Sequence, residues 1–304
     1  KLVDIMRRRT GLLVEREPGQ FTFPHRTFQE YLAGSHLACE SNFVSNALDK
    51  LREGPFSREV VLLAVGHQVH IRSEYDQPLS LVDELCPPEM LALDDEAGWR
   101  CVRVAGEALL EMGLNRVRRR KRGEVLLERV RGRLTALVEE GLLAAPERAV
   151  GGEVLGKLGD PRFDAGRWWL PARYRGEEEA FLGFVKVDAG PFVMGSSAEE
   201  VAAVKQERSG IFDDVFDWEI GNSGAITIDH DYWIARYPVT VAQFQCFVES
   251  GGYRESRWWQ SEAARQWLKE SRSAAPGGWD GQCLYPNRPV VYVNWFEARA
   301  YAAW

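Results

Sequence analysis

Paired cysteines, histidine clusters, a phosphate loop and long apolar runs are all missing from this chain. Its five cysteines, Cys39, Cys86, Cys101, Cys246 and Cys283, are odd in number and never fall in C-x-x-C spacing. That speaks against a disulfide framework or a zinc site and suits a reducing, cytoplasmic compartment. No G-x-x-x-x-G-K-[ST] segment occurs, so these residues alone are not expected to hydrolyse ATP. No apolar run approaches the roughly eighteen residues of a membrane span. No secretory leader opens the chain, which starts at Lys1 in place of Met and reads as cut from something longer. Positive charge is also in deficit: the net charge is −7, which makes the chain a poor general binder of nucleic acid. The basic run "RVRRRKR" at 116–122 is the exception, read as a solvated helix face beside acidic neighbours.

What is present is enough material for two or three cores: 304 residues, 45% hydrophobic and 27% charged. Residues 1 to 10 read as the end of a helix stopped at Gly11. "LLVERE", "PGQ" and "FTF" form a hairpin pattern closed by Pro18-Gly19. Pro24 ends the second strand, and Thr27-Phe28-Gln29-Glu30 reads as a capping box opening a helix. That helix carries Phe28, Tyr31, Leu32 and Ser35 as a half-apolar stripe, with His25 at the corner before it. Helix, hairpin, helix is the order of the back half of a winged-helix domain.

The residues Phe21, Phe23, His25, Phe28, Gln29, Glu30, Tyr31, Leu32 and Ala33 resemble the winged-helix segment of NACHT-type STAND NTPases. The resemblance implies a domain that folds over bound nucleotide, with His25 as the candidate nucleotide sensor. It also implies an upstream NTPase domain through which ATP or ADP would be bound. A second reading of His25, as a group bonding backbone at a tight corner, stays open. One charge-assisted hydrogen bond contributes about 1.5–3 kcal/mol, against about 8 kcal/mol for micromolar affinity. His25 would therefore bias a nucleotide switch and not bind the nucleotide alone.

From Ser41 to about Asp160 the pattern is helical, with breaks expected at Gly54-Pro55, Gln77-Pro78, Pro87-Pro88, Gly123 and Gly151-Gly152. Stretches such as "REVVLLAVGHQVHI" resemble degenerate α-solenoid (HEAT-like) repeats without a clean period. His67 and His70, three apart, have a spacing that chelates metal, but no third ligand lies near them in sequence, which favours ordinary helix histidines.

Composition changes at "RWWLP", after which tryptophan becomes common. "GFVKVDAGPFVMGS" gives two short strands about a turn. "YWIARYPVTVAQFQCFVESGGY" gives a strand, then a helix opened by Thr240 and Gln243, with Val241, Phe244, Phe247 and Val248 as its core stripe and Gly251-Gly252 as its stop. "NRPVVYVNWFEARAYAAW" gives another strand, then a helix capped by Asn294 with Glu297 three residues on.

Gly190-Pro191-Phe192, Met194-Gly195, Arg236-Tyr237-Pro238-Val239-Thr240, Gly251-Gly252-Tyr253, Pro289-Val290, Val293-Asn294-Trp295 and Glu297-Ala298 together resemble the formylglycine-generating, or sulfatase-modifying factor, family. The resemblance implies an α+β C-type-lectin-like fold in which Arg236, Pro238, Thr240, Asn294, Trp295 and Glu297 are structural motif residues. The fold expected for the whole chain is multidomain. A winged-helix remnant at 1–40 and a mostly α, solenoid-like region at 41–165 come first. A linker at 166–180 and the lectin-like domain at 181–304, apparently incomplete at its C-terminus, follow.

The same family implies two chemistries: copper oxidases with paired redox cysteines, and iron enzymes of the ergothioneine branch with a histidine triad. Both catalytic sets belong largely to segments downstream of the motif ending at Trp304. Within these residues Cys246 lies opposite its helix's core stripe and Cys283 follows Gly281 in a loop. His230, between Asp229 and Asp231, is the only histidine after residue 70; that trio is a weak metal candidate, and a surface loop is the plainer reading. No catalytic residue and no resident cofactor are therefore assigned, with copper, iron and calcium left open. The expectation is a recognition module binding a protein or small-molecule ligand in a bacterial NACHT-type signalling or antiviral defence protein. Its C-terminal fold resembles the variable proteins of diversity-generating retroelements. A metal-dependent oxidase is the alternative.

Overall fold

Pro18 and Gly19 occupy a corner that glycine closes without strain: Gly19 has φ 81°, as required after proline in a type II turn. The corner joins β1 (Val14–Glu17) to β2 (Gln20–Thr22), an antiparallel pair with a register shift between Glu15 and Glu17. The hairpin read from the sequence is present. The structure is a computed structural model that describes residues 13–54, 57–207 and 223–304. The helix end expected over residues 1 to 10 and its Gly11 stop lie outside the described residues.

Helix α1 (Arg26–Leu37) starts two residues earlier than the Thr27 capping box requires. Its N-cap is His25, in extended backbone and with no side-chain cap bond. Glu30, expected to close that box, instead accepts from Arg26 at 2.7 Å. The buried face is also not the expected stripe. Phe28, Tyr31 and Leu32 stay 41–51% exposed, while Gly34 and Leu37 turn inward. Gly34 decides this orientation: a Cβ there would lie 2.9 Å from both the Val60 carbonyl oxygen and the Leu63 Cβ. Only a glycine face lets two helix backbones approach so closely.

The following helices are α2 (Phe43–Arg52), α3 (Ser57–Gly66), α4 (Asp76–Leu85), α5 (Glu96–Met112), α6 (Leu114–Arg118), α7 (Lys121–Glu139) and α8 (Ala145–Leu158). α3 runs on into a π-helical turn, His67–Ile71. In place of a solenoid stack, where each repeat touches only its neighbours, α5 is central and packs against α3, α4, α6, α7 and α8. Trp99, Val102, Ala105, Leu109 and Met112 of α5 are fully buried against Val61, Leu81, Leu127, Leu134 and Leu158. Each such leucine or valine contributes about 1.5–3 kcal/mol on burial, so packing and not helix propensity holds this layer.

Three expected breaks are not breaks. Gln77-Pro78 falls in the first turn of α4, where proline's missing N–H costs nothing. Gly123 lies inside α7, where a Cβ would overlap the Val117 carbonyl. Gly151 and Gly152 lie mid-α8, where a Cβ at Gly151 would stand 3.1 Å from a Leu137 methyl. Pro87-Pro88 does interrupt the helices.

Beyond α8 come two small hairpins, β3 (Phe163–Asp164) with β4 (Leu170–Pro171), and β5 (Arg173–Tyr174) with β6 (Glu177–Glu178). Strands β7 (Phe184–Val187) and β8 (Gly190–Met194) flank the Asp188-Ala189 turn but do not pair with each other. After α9 (Ala198–Glu207), β9 (Gly224–Ile228) pairs with β8 and β10 (Tyr232–Ala235) pairs with β7, both antiparallel and nested. Helices α10 (Val241–Glu249), α11 (Glu262–Ser271), α12 (Trp279–Gln282) and α13 (Trp295–Ala303) follow. The strand expected in "NRPVVYV" shrinks to one bridge, Thr240 with Pro289. Val291 N–H is taken by the Gln282 side chain, and Tyr292 adopts φ 57°, which turns the chain out of any ladder.

Contacts gather the described residues into two compact bodies. One holds those up to Glu178 together with Val239–Trp304, and the other holds Glu179–Pro238. No helix among the described residues is long and apolar enough to cross a membrane.

Candidate functional site

Two of the three capping boxes read from the sequence, those at Thr240 and Asn294, are formed. Thr240 Oγ1 accepts from Gln243 N–H, and Gln243 Oε1 accepts from Thr240 N–H at 2.8 Å. Asn294 Oδ1 accepts from Glu297 N–H at 3.0 Å, and Glu297 Oε2 accepts from Asn294 N–H at 2.8 Å. Glu297 does more than cap. It is 3% exposed, and its second oxygen accepts from the Tyr253 hydroxyl at 2.6 Å. Burial, with the Glu297 hydrogen bond and charge behind it, raises the Tyr253 hydroxyl well above the ordinary tyrosine range. Around this pair sits an aromatic cluster. Phe244 stacks on Tyr301 at 5.1 Å, Phe247 meets Tyr253 at 5.7 Å, and Tyr253 meets Trp259 at 5.5 Å. Trp259 donates its ring N–H to the Gly252 carbonyl at 2.9 Å.

The remaining motif residues lie at the surface. Trp295 is 62% exposed, with the Arg299 guanidinium 4.9 Å from its ring centre. Trp258, beside it in the wall of a shallow depression shared with Trp295 and Arg299, carries Arg257 at 4.3 Å. Arg236 faces Glu179 at 3.7 Å, and its N–H donates to the Gly183 carbonyl at 2.7 Å. Pro238 is exposed at the end of the β10 segment.

The Asp229-His230-Asp231 trio does not converge. His230 Nδ1 lies 2.8 Å from Asp229, whose side chain is almost fully exposed. Asp231 turns the other way, pairing with Lys186 at 2.7 Å and accepting from Ala189 N–H at 2.8 Å. Those two donors pull its carboxyl below the usual range. Among the described residues no three His, Cys, Asp or Glu side chains group to hold a metal ion.

Cys86, Cys101, Cys246 and Cys283 sit in surroundings that disfavour thiolate. Burial raises Cys246, and Glu249 adds to it. Burial raises Cys283, helped by Asp280 and Glu249. Burial pushes Cys86 up to about 11. A copper centre needs thiolates, and a three-histidine iron centre needs histidines that this segment does not contain beyond His230. The donor sets of both family chemistries do not fit the residues present.

In the helical region, His70 lies 3.0 Å from the Glu111 carbonyl and 3.1 Å from Arg116, while His67 Nδ1 is buried without a partner. The two histidines are not brought to one ligand. The basic run is engaged within the chain: Arg120 covers the Tyr75 ring at 3.6 Å, and Arg122 bonds Ser80 and Asp83. His25 is exposed, its ring 6.1 Å from that of Phe28.

Sequence reasoning missed the pairing of Tyr253 with Glu297. The two stand 44 positions apart, and the only local hint was the capping-box glutamate itself.

The comparisons with known proteins match both ends of the chain. Residues 174–304 match the sulfatase-modifying factor enzyme 1-like domain, and residues 1–37 match the winged helix-turn-helix domain C-terminal to NACHT. Both resemblances read from the sequence are thus borne out. Hercynine oxygenase of Mycolicibacterium thermoresistibile is 37% identical over 125 residues, covering 38% of this chain and 25% of that protein. The protein of the same name from Mycolicibacterium smegmatis is 34% identical over 133 residues, covering 40% and 27%. That from Mycobacterium tuberculosis is 34% identical over 125 residues, covering 37% and 26%. The chain spans about a quarter of the length of the curated relatives it matches.

Proposed function

We propose that this chain is the recognition portion of a bacterial NACHT-type signalling or defence protein, in which a C-type-lectin-like scaffold at the C-terminal end binds a protein or small-molecule ligand. The observation that carries the reading is the joining, in one chain, of a winged helix of the kind found C-terminal to NACHT and a sulfatase-modifying factor-like domain. An upstream NTPase domain binds ATP or ADP, and His25, exposed at the start of α1, senses which one. Exposed Trp295 with Arg299 and half-buried Trp258 with Arg257 supply the kind of aromatic and cationic contact groups that binding surfaces favour. The raised thiols and the unclustered His230 support binding over redox chemistry at the described residues.

A second reading is favoured by the relatives' name: a metal-dependent oxidase of the hercynine oxygenase kind. Isothermal titration of the natural full-length protein with nucleotide, copper and iron separates the two, followed by oxygen uptake with hercynine or a cysteine peptide as substrate. The recognition reading expects nucleotide binding whose response to ADP against ATP is altered by His25→Ala, and no metal-dependent oxygen uptake. Tight iron or copper binding with oxygen uptake overturns it. A His25→Ala protein with unchanged nucleotide response removes His25 from the switch.

A further inference from the structure

Every N–H in the first turn of α10 has a partner, and two of those partners come from one short loop. Thr240 N–H and Gln243 N–H are satisfied by the capping box. Val241 N–H donates to the Arg288 carbonyl at 2.9 Å and Ala242 N–H to the Pro286 carbonyl at 2.8 Å. Helix starts ordinarily leave these donors to water or to side chains; here residues 285–289 complete the helix from outside. The loop is itself braced by the Arg288 N–H on the Tyr285 carbonyl at 3.1 Å and by Val290 N–H on the Val239 carbonyl at 2.9 Å.

The other side of the same loop grips α8. Asn287 donates from Nδ2 to the Gly152 carbonyl at 2.7 Å, although intrahelical carbonyls in a helix body already have one partner. Arg288 pairs with Glu153 and lays its guanidinium 3.8 Å from the Tyr285 ring centre; Lys157 lies 5.2 Å from that ring. One turn past Gly152, Gly156 lies under the Asn287 carboxamide so closely that a Cβ would overlap it. Glycine is the poorest ordinary residue for a helix interior, and α8 carries it at 151, 152 and 156. Gly151 is explained by Leu137, and Gly156 is explained by the loop.

We propose that residues 285–289 are a latch that makes α8 and α10 one mechanical unit, so that a displacement of α8 is felt at the start of the helix carrying Phe244 and Phe247. In the recognition reading, on which only this last clause rests, the latch conveys the ligand state of the C-terminal end to the helical region. The two grips meet on Arg288 within three consecutive residues, since Asn287 and Arg288 hold α8 while the Pro286 and Arg288 carbonyls hold α10. Neither helix therefore leaves the loop without cost to the other.

α8 supplies a matched pair of substitutions. Gly152→Ala and Gly156→Ala make the same chemical change in the same helix, but only the second meets an obstacle, because a Cβ at 152 has its nearest neighbour 3.9 Å away, at Val138. Amide hydrogen exchange and thermal melting of the full chain are the measurements. Gly152→Ala is expected to keep or raise the melting temperature and to leave the Val241, Ala242 and Val290 amides protected. Gly156→Ala is expected to lower protection at those three amides at least tenfold, even though alanine improves the helix it sits in. Asn287→Ala alone is expected to lower the same protections, and Gly156→Ala added to it is expected to do no further harm, since the obstructed side chain is gone. Should Gly156→Ala fail to fold, the Asn287→Ala protein and the double variant still read the latch. Gly156→Ala indistinguishable from Gly152→Ala, or effects of Gly156→Ala and Asn287→Ala that simply add, would overturn it. No ligand or nucleotide enters either measurement, so the result is independent of the function proposed above.

Discussion

Replacing Tyr253 by phenylalanine removes one hydroxyl and leaves the ring among Phe247 and Trp259. Glu297 then keeps its cap on Asn294 but loses the 2.6 Å bond on its other oxygen. At 3% exposure the carboxylate is too buried for bulk water to fill the gap. A hydrogen bond onto a charged acceptor contributes about 1.5–3 kcal/mol. The expected loss is about 2 kcal/mol, roughly thirtyfold in the ratio of folded to unfolded protein. Glu297→Gln keeps the shape and one acceptor, so it should cost less. The double variant should be less damaged than the sum, with a coupling of about 1–2 kcal/mol. Urea unfolding followed by tryptophan emission reads this directly, because Trp259 lies 5.5 Å from the Tyr253 ring. The alkaline limb gives a second test. The folded state holds the Tyr253 hydroxyl above its ordinary value, so it favours the neutral phenol. That contribution is complete below the unfolded tyrosine value of about 10 and drains away as pH rises past it. The gap between wild type and Tyr253→Phe should therefore be constant up to about pH 10 and narrow progressively above it. A Tyr253→Phe protein as stable as wild type at neutral pH, or a gap that does not change with pH, refutes the reasoning.

Alkylation at neutral pH should modify exposed Cys39 first and Cys86, buried and pushed up to about 11, last. Peptide mapping that finds Cys246 or Cys283 fastest would instead point to an activated thiol and favour the oxidase. In the helical region, Glu107 is 9% exposed and held by two bonds from Arg58 at 2.6 and 2.7 Å. Arg58→Ala strands that carboxylate and should cost about 2 kcal/mol, below the cost of a fully buried pair because Arg58 is partly solvated; a thermal melt unchanged within error would contradict this.

The features legible in the sequence were those whose physics closes within about four residues. Pro18-Gly19 sets its own turn, and the Thr240 and Asn294 caps each need only a partner three positions on. The misread features are those decided by a distant surface. Thr27 had the right spacing for a cap, but the chain leaving Pro24 places His25 in extended backbone and starts the helix there. Phe28, Tyr31 and Leu32 had the right spacing for a core stripe, but the close approach available only at Gly34 turned the opposite face inward. Gly123 and Gly151 carried the composition of helix stops, and packing beyond their own helical turns, against Val117 and Leu137, made them points of contact instead. The site was less legible still, since Asn287 and Gly152 are 135 positions apart.

Three glycines with no room for a side chain mark a continuous packed route through the helical region. Gly34 lets α1 lie against α3. Arg58 at the start of α3 holds Glu107 of α5, and beside it Gly106 admits Val154 of α8 where a Cβ would stand 2.6 Å from that side chain's methyl. Gly156 of α8 then receives Asn287, whose loop completes α10. Spatial continuity of this kind is not by itself coupling. What gives these joints a mechanical character is that each is a backbone-close contact with no methyl-sized slack, and packed interiors respond to displacement by switching arrangement instead of deforming smoothly. The helix that begins at His25 and the helix that anchors the aromatic cluster are thus tied through contacts that tolerate little independent motion.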